Sequence, residues 1–237
     1  RDDARITFIH HCLKKIDATL KQKNSSLLCL SGEHNEIWPT LRDSYDIQNV
    51  FANDDYEPYA IKRDLEIKSY LETHNISFHS LKDQVIFEKN EIVKNDGLPY
   101  TVYTPYKNKW KNKFYTLKID DYTTSNSENF LKTKFEIPKL ESIGFKKSTI
   151  EILDFDIENL QNYETERNIP WKDNTSYLSP HLRFGTVSVR EIIKKIKLND
   201  VFLNELIWRE FFMQILYHFP KVINQNFKPK YNQIEWR

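Results

Sequence analysis

Five side chains of unlike chemistry fall on one face of a predicted helix near the end of the chain. At helical spacing, "FLNELIWREFF" brings them within roughly a third of the circumference; they are Phe202, Glu205, Trp208, Arg209 and Phe212. Aromatic faces can stack on a flat ligand, and a carboxylate with a guanidinium can bind its polar edges. An ion pair between Glu205 and Arg209 beside buried rings is the plainer interpretation, and this helix alone leaves both open.

A second polar group, "TSYLSP", lies just ahead of a predicted short helix. Thr175, Ser176 and Ser179 carry hydroxyls, and Ser179 followed by Pro180 has the residue types of an N-cap and a first helical position. Hydroxyls and unpaired N–H groups at a helix start suit a phosphate. The alternative is an ordinary capped polar loop, which accounts for Ser179 but not for Thr175 and Ser176.

The first part of the chain alternates helical and extended patterns. Apolar spacing predicts helices over residues 4–23, 35–45 and 58–75, and short apolar runs predict strands at 26–30, 47–53, 76–81 and 84–88. This alternation is typical of βαβ crossovers and of a parallel sheet covered on both faces. We therefore predict a doubly wound, Rossmann-like α/β domain over residues 1–105, without its first strand because the chain opens on a helix.

After residue 105 the pattern loosens. Residues 106–160, with the lysine-rich "YKNKWKNKFYTLK" and the turn-rich "DDYTTSNSEN", predict an interdomain linker. Residues 161–237 predict helices only. One opens at the capping box from Ser188 to Glu191, and another runs from about Val201 to His218 and stops before Pro220. We predict the start of an all-α domain that is incomplete at its C-terminus.

Composition limits the classes of function. Of 237 residues, 39% are hydrophobic and 29% are charged, which is typical of a folded globular protein, and the apolar runs are too short to span a bilayer. The cysteines Cys12 and Cys29 form no disulfide framework, so we expect a reducing, cytoplasmic setting. A formal net charge of +1 neither supports nor excludes a nucleic-acid partner. Nothing in the sequence predicts a metal site.

Two motifs together carry a family resemblance. "NTSYLSPHLRFGTVSVREI" followed by "FLNELIWREFFMQILYHFP" resembles the flavin-binding domain of the DNA photolyase and cryptochrome family. Upstream, "VFANDDYEPYAIKRD" and "VIFEKNEIVKNDGLPYTVYTPYKNKW" resemble the N-terminal antenna domain of that family and its exit. The resemblance covers almost the whole chain and is greatest to class I cyclobutane-dimer photolyases. It implies truncation at both ends, because the family begins with a further strand and continues with further helices.

The resemblance implies an FAD cofactor bound by the helical domain. Tyr163 and Phe202 match aromatic positions of the flavin site. The segment that matches the family's phosphate-binding run consists of Thr175, Ser176, Tyr177, Leu178 and Ser179. This chain has "DNTS" where many relatives have "DGTS", and Tyr177 where many have arginine. Contacts made through the backbone survive both departures, whereas a contact made by the arginine side chain does not.

The resemblance also implies roles in DNA binding and electron transfer. Glu205 and Trp208 match the catalytic positions that meet the damaged bases, and Arg167 and Arg209 match arginines that contact DNA nearby. A pyrimidine dimer pairs poorly, so extruding it from the duplex costs less than flipping a normal base. Trp208 would then supply a stacking face for it. Trp236 matches the surface member of the tryptophan chain that photoreduces the flavin.

The antenna pigment stays open among a folate, a flavin-type pigment and none. Relatives that use folate have a glutamate ahead of the "TPYK"-like segment, and alignment through Thr104 places Leu98 at that position. Leu98 cannot supply a carboxylate, so the sequence disfavours a folate antenna.

The favoured hypothesis is a monomeric enzyme that uses light to split cyclobutane pyrimidine dimers in UV-damaged DNA. Excited, reduced FAD would give an electron to the flipped dimer and later recover it. The second hypothesis is a cryptochrome-type photoreceptor without repair activity; Glu205 beside Trp208 favours repair, because a sensor needs no stacking platform next to a carboxylate. A six-four photolyase and a nucleotide-binding α/β protein with a helical appendage are further alternatives.

Overall fold

The computed structural model describes residues 1–119, 128–158, 160–196 and 199–235. Along the chain the elements are α1 (Ala4–Lys21), α2 (His34–Ser44), β1 (Asn49–Asn53), α3 (Pro58–Glu72), β2 (Ser77–Leu81), α4 (Tyr103–Phe114), α5 (Tyr163–Glu166), α6 (Leu178–Arg183), α7 (Val189–Lys195) and α8 (Asp200–His218). Short 3₁₀ helices cover Glu141–Ile143, Pro220–Ile223 and Pro229–Gln233.

The chain forms two compact units, each assembled from separate segments. The first unit comprises Arg1–Ser44, Ile119–Asp156 and Ser176–Thr186, and therefore contains α1, α2 and α6. The second unit comprises Tyr45–Lys118, Ile157–Thr175 and Val187–Arg237, and contains both strands and the other helices. The domain boundaries that we place at residues 105 and 160 remain a prediction.

A βαβ crossover organises the start of the second unit. The strands β1 and β2 pair in parallel, with the register running from Asn49 opposite Ser77 to Asn53 opposite Leu81. Between them, α3 begins at Pro58, whose fixed φ suits a first helical position, and buries Ile67 and Leu71. The strands and the helix expected here are confirmed. A parallel sheet with helices, followed by helices only, confirms the α/β and then all-α fold class.

Two further predicted strands, at 26–30 and 84–88, are wrong. Within the ranges given above, no strand runs beside residues 26–30, and the N–H of Leu27 donates to the Asp17 carboxylate at 2.9 Å instead. Residues 84–88 keep the buried apolar side chains that suggested a strand, since Val85, Ile86 and Phe87 are at most 2% exposed. Their backbone groups bind side chains of distant helices rather than a neighbouring strand.

The helices that we predict are present, but α4 was not predicted and α6 begins earlier than expected. Ser188 caps α7 by accepting a hydrogen bond from the N–H of Arg190 at 3.2 Å, as expected. Helix α4 covers residues that we assigned in part to the linker, and it buries Tyr106 and Trp110, which lie four residues apart. Ser179 is not an N-cap. The chain enters α6 through Tyr177, which has a left-handed backbone with φ of 51°, so the helix begins one residue before Ser179.

Each unit has its own apolar core. In the first, Phe8 of α1 packs edge-on against the ring of His181, which is itself buried, at 5.4 Å between centroids. In the second, α8 buries Leu206, Ile207 and Phe211, with Phe211 lying against the ring of Tyr106 at 5.1 Å. Among the residues described, none of the helices combines the length and apolar character that crossing a bilayer requires.

Candidate functional site

Helix α8 carries both residues predicted to be catalytic, Glu205 and Trp208, and local sequence explains its position. Its N-cap Asn199 accepts a hydrogen bond from the N–H of Phe202 at 2.9 Å, and the Asn199 side-chain amide donates to the carbonyl of Leu160 at 3.0 Å. Pro220 lies just beyond its last residue and cannot continue an α-helix. Leu206 and Ile207 anchor the apolar side, so the opposite side is held at a fixed rotation.

Glu205 forms an ion pair with Arg167, which follows α5, through Nη1 of the guanidinium. The same guanidinium lies over the ring of Tyr163 at 5.7 Å from its centroid, within the range of a cation–π contact. Nε of Arg167 is buried and, in the described ranges, has no hydrogen-bond partner. A buried donor without an acceptor is costly, so this N–H is suited to a ligand oxygen.

The side chain of Trp208, on α8, packs against α4. Its indole stacks on the ring of Tyr103, with 3.5 Å between centroids and 8° between planes. A second, more distant stacked contact joins Trp208 to Phe212 at 5.5 Å, and Phe212 is 59% exposed. Trp208 is thus held rigidly by aromatic neighbours and remains partly accessible.

The five residues predicted to share one face of α8 point to different partners. Phe202 packs edge-on against Tyr163 at 5.0 Å, Glu205 binds Arg167, and Trp208 stacks on Tyr103. Arg209 turns the other way and donates through Nη1 to the carbonyl of Gln84 at 2.7 Å. The predicted stripe therefore does not act as one group: Glu205 and Trp208 contact Arg167 and Tyr103, whereas Arg209 binds the backbone at Gln84.

Sequence reasoning missed Glu210, a buried carboxylate at the centre of the second unit. Its two oxygens accept four hydrogen bonds, from the N–H groups of Ile86 at 2.7 Å and Phe87 at 3.0 Å, from Trp110 Nε1 at 2.6 Å and from the Tyr106 hydroxyl at 3.3 Å. Burial raises the pKa of Glu210 to about 7, against the opposing effect of these donors. One signal was available, because this glutamate lies in the middle of the apolar arc of α8.

Polar side chains of α8 and α7 bind the backbone of residues 82–89. Gln214 donates to the carbonyl of Phe87 at 3.0 Å, and the His218 ring is 3.0 Å from the carbonyl of Lys89. From α7, Arg190 donates to the carbonyls of Asp83 at 2.7 Å and Val85 at 3.1 Å. Side chains thus replace the strand partner that residues 84–88 lack.

The predicted cofactor residues lie partly in each unit. In the second, Tyr163 and Phe202 form the aromatic pair described above, and Thr175 is exposed. In the first, the carbonyl of Ser176 accepts from the N–H of Asp156 at 3.0 Å, and its hydroxyl lies 3.4 Å from the N–H of Leu178.

The remaining cofactor residues differ in exposure. Ser179 is exposed and Tyr177 is 38% exposed, whereas Leu178 is buried at 3%. Taken separately, an exposed hydroxyl such as that of Ser179 has the donor chemistry that suits a phosphate, and the rings of Tyr163 and Phe202 have the chemistry that suits a flavin ring. Trp236 lies outside the described residues.

Two family models match the chain at its two ends. The model described as DNA photolyase matches residues 1–125, more than half of the sequence. The chain belongs to the DNA photolyase and cryptochrome family. A second model, described as the FAD binding domain of DNA photolyase, matches residues 202–237, so this photolyase-family chain carries part of an FAD-binding domain.

Known photolyases and cryptochromes resemble the chain at low identity. The deoxyribodipyrimidine photo-lyase of Synechococcus is 27% identical over 98% of this chain and 55% of its own length. A class III photolyase structure from Agrobacterium tumefaciens matches all of the chain and 54% of itself, with a TM-score of 0.77 and 23% identity. A Synechocystis cryptochrome matches all of it and 55% of itself, with a TM-score of 0.77 and 13% identity. The chain spans about half the length of the curated relatives it matches.

Proposed function

We propose that the whole protein repairs UV-damaged DNA in a light-dependent reaction that splits cyclobutane pyrimidine dimers. One observation carries the proposal: the Glu205 carboxylate, paired with Arg167, lies one turn of α8 from the partly accessible indole of Trp208. A flipped dimer needs a flat face on which to stack and polar groups at its base edges. These side chains provide both.

Each residue of this group has a distinct proposed role. Trp208 stacks on one base of the dimer, and Glu205 accepts hydrogen bonds from N–H groups at the base edges. Arg167 fixes the orientation of Glu205 and offers its unpaired Nε–H to a DNA oxygen. Arg209 remains a predicted DNA contact. Its hydrogen bond to the carbonyl of Gln84 makes the position of its guanidinium depend on that of residues 82–89.

The flavin side of the site is proposed on the same residues that matched the family. Tyr163 and Phe202 would line the ring system, and residues 175–179 would bind the phosphates through hydroxyls and backbone N–H groups. When bound, reduced FAD would supply the photoexcited electron that opens the cyclobutane ring and would take it back afterwards. The residues named here bind, orient and exclude water. We further propose that the protein acts as a monomer in the cytoplasm.

A cryptochrome-type photoreceptor is the second candidate, because cryptochromes occur among both the curated relatives and the similar structures. A photoreceptor would bind FAD and respond to blue light without converting a lesion. The Glu205 and Trp208 pair favours repair, since it supplies groups for a base that a photoreceptor does not need.

The test compares lesions in the full-length protein loaded with reduced FAD. Oligonucleotides with one cyclobutane thymine dimer, one six-four product or no lesion are incubated under blue light and in darkness. We expect restoration of normal thymines only for the cyclobutane dimer and only in light. Flavin photoreduction without conversion of either lesion would favour the photoreceptor, and conversion of the six-four product alone would change the assigned substrate.

A further inference from the structure

The face of Trp208 is partly covered by a residue that the family motifs did not single out. Tyr103 is the first residue of α4, and its ring is almost parallel to the indole, with 8° between the planes and 3.5 Å between the centroids. At this separation the two rings are in direct contact over their faces. Any base that stacks on Trp208 must use indole surface that Tyr103 leaves uncovered.

Tyr103 is fixed to α8 at more than one point. Its hydroxyl donates to the carbonyl of Asn204 at 2.8 Å, and Asn204 precedes Trp208 by four residues, about one helical turn. The edge of Phe211 contacts the Tyr103 ring at 5.8 Å, and Phe211 also contacts Trp208 at 5.7 Å. The ring of Tyr103 therefore cannot rotate away without losing a hydrogen bond and two aromatic contacts.

Tyr103 also has a charged neighbour, unlike a residue of the core. Lys107, one turn later on α4, places its ammonium 5.9 Å from the ring centroid. Tyr103 itself is only partly buried, whereas Tyr106 on the same helix is 1% exposed and serves the core. An aromatic ring at the border between the core and solvent, stacked on another partly accessible ring, is placed to shape a binding surface.

We propose that Tyr103 is a positioning residue that holds the indole of Trp208 in the orientation needed to receive a flipped pyrimidine. The inference rests on the proposed function, and it adds a residue of α4 to a site otherwise built on α5 and α8. Loss of the Tyr103 ring frees the indole to change rotamer. Binding of the dimer must then fix the indole in one rotamer, and this cost weakens the preference for damaged DNA. The light-driven step on a bound dimer is unchanged.

The experiment measures how strongly the full-length, FAD-loaded protein prefers a dimer-containing oligonucleotide over an undamaged one in darkness. Tyr103→Leu is expected to lower this preference by about threefold to tenfold, which corresponds to the interaction energy of one aromatic pair. Tyr103→Phe, which keeps the ring and loses only the hydroxyl, should stay within about twofold of the unchanged protein. The repair rate at saturating DNA should be alike in all three, whereas the half-saturating DNA concentration rises for Tyr103→Leu alone.

A double-mutant cycle separates positioning from general damage to the fold. In a Trp208→Ala background, Tyr103→Leu should cause no further loss, because no indole remains to be held. Tyr115→Leu, at the exposed end of the same helix, is the matched control and should leave the preference unchanged. If the unchanged protein prefers damaged DNA and Tyr103→Leu keeps that preference, the inference is overturned and the proposed function stands. If the unchanged protein shows no preference, both fall.

Discussion

At the scale of single residues, the pairing of Glu205 with Arg167 decides what the site can recognise. The guanidinium of Arg167 holds the Glu205 carboxylate in one orientation, and in the proposed site the second carboxylate oxygen would accept N–H donors such as those on pyrimidine edges. Arg167 is held over Tyr163 at 5.7 Å, so its planar group is already oriented before a ligand arrives. Its Nε–H, which has no hydrogen-bond partner among the described residues, is the group that we propose to contact a DNA oxygen.

Substituting Arg167 with lysine tests this double use. Arg167→Lys keeps the positive charge but removes the planar fork and the Nε–H donor, so the substitution is not conservative here. We expect affinity for dimer-containing DNA in darkness to fall by about tenfold, because one charge-assisted hydrogen bond is lost. Fluorescence anisotropy with a labelled oligonucleotide measures it. Arg63→Lys, on α3, is the control, and equal losses in both variants would mean that the loss is not specific to the Arg167 position.

At the scale of elements, α8 carries Glu205 and Trp208 of the proposed site and also binds the backbone of residues 84–89. Glu210 is the centre of the second set, with four donors directed at one buried carboxylate. Gln214 and His218 continue the contact along the helix at intervals of four residues. The position of Glu205 and Trp208 therefore depends on a polar contact that sits on the opposite side of the same helix.

The raised pKa of Glu210 predicts a pH dependence of stability. Burial raises it from 4.5 to about 7, so between these values the folded protein binds a proton that the unfolded chain has released. The free energy of unfolding therefore falls as the pH rises through this window, by at most about 1.4 kcal/mol per pH unit, and levels off above it.

Glu210→Gln isolates this effect, because glutamine cannot titrate. Urea denaturation of the full-length protein at several pH values, followed by tryptophan fluorescence, should show a stability difference between the two proteins that changes between about pH 4.5 and pH 7 and is constant above. Trp110 donates to Glu210 directly and reports on the site. A difference that stays constant across the whole window would contradict the assigned pKa.

The same elements show where sequence reasoning succeeds and where it ends. Helix α8 and the cap at Ser188 were predictable, because local spacing and capping determine them. Residues 84–88 were not, since a short buried apolar run looks like a strand whichever groups satisfy its backbone. Those groups belong to Arg190, Glu210 and Gln214, more than a hundred residues away.

Within the candidate site the same limit applies. The types and spacing of Glu205, Trp208 and Arg209 single out this face of the helix from the amino-acid sequence, although the helix alone leaves a functional group and a plain ion pair both open. Each of these side chains contacts a different partner, and which partner it contacts depends on the elements that pack against α8. Spacing along one helix does not contain that information. Nothing in the sequence indicated that Tyr103 and Gln84 would be the partners of Trp208 and Arg209.

At the scale of the whole molecule, the residues predicted to bind FAD belong to both units. Thr175 is part of the second unit and Ser176 of the first, although they are neighbours in sequence. Because the chain spans about half the length of its relatives, FAD binding is best measured in the full-length protein.

Removing the Ser176 hydroxyl tests the predicted phosphate run. Ser176→Ala should weaken FAD binding by about tenfold if that hydroxyl donates to a phosphate oxygen, since hydrogen bonds to charged groups are among the stronger ones. Flavin retained after dialysis, read from the ratio of visible to ultraviolet absorbance, measures the loss. Thr165→Ala, an exposed hydroxyl on α5, is the control. Unchanged retention in Ser176→Ala would remove this residue from the site.

The most direct test of the central claim is light-driven conversion of a thymine dimer by the full-length protein and by its Trp208→Ala variant. We predict that the unchanged protein, with reduced FAD, restores the thymines in blue light and not in darkness. Trp208→Ala should need a DNA concentration at least about tenfold higher to reach half of its maximal rate, as expected for one lost base-stacking contact. Light-driven conversion that is equally efficient in both proteins would contradict the assignment of this face of α8 to the lesion.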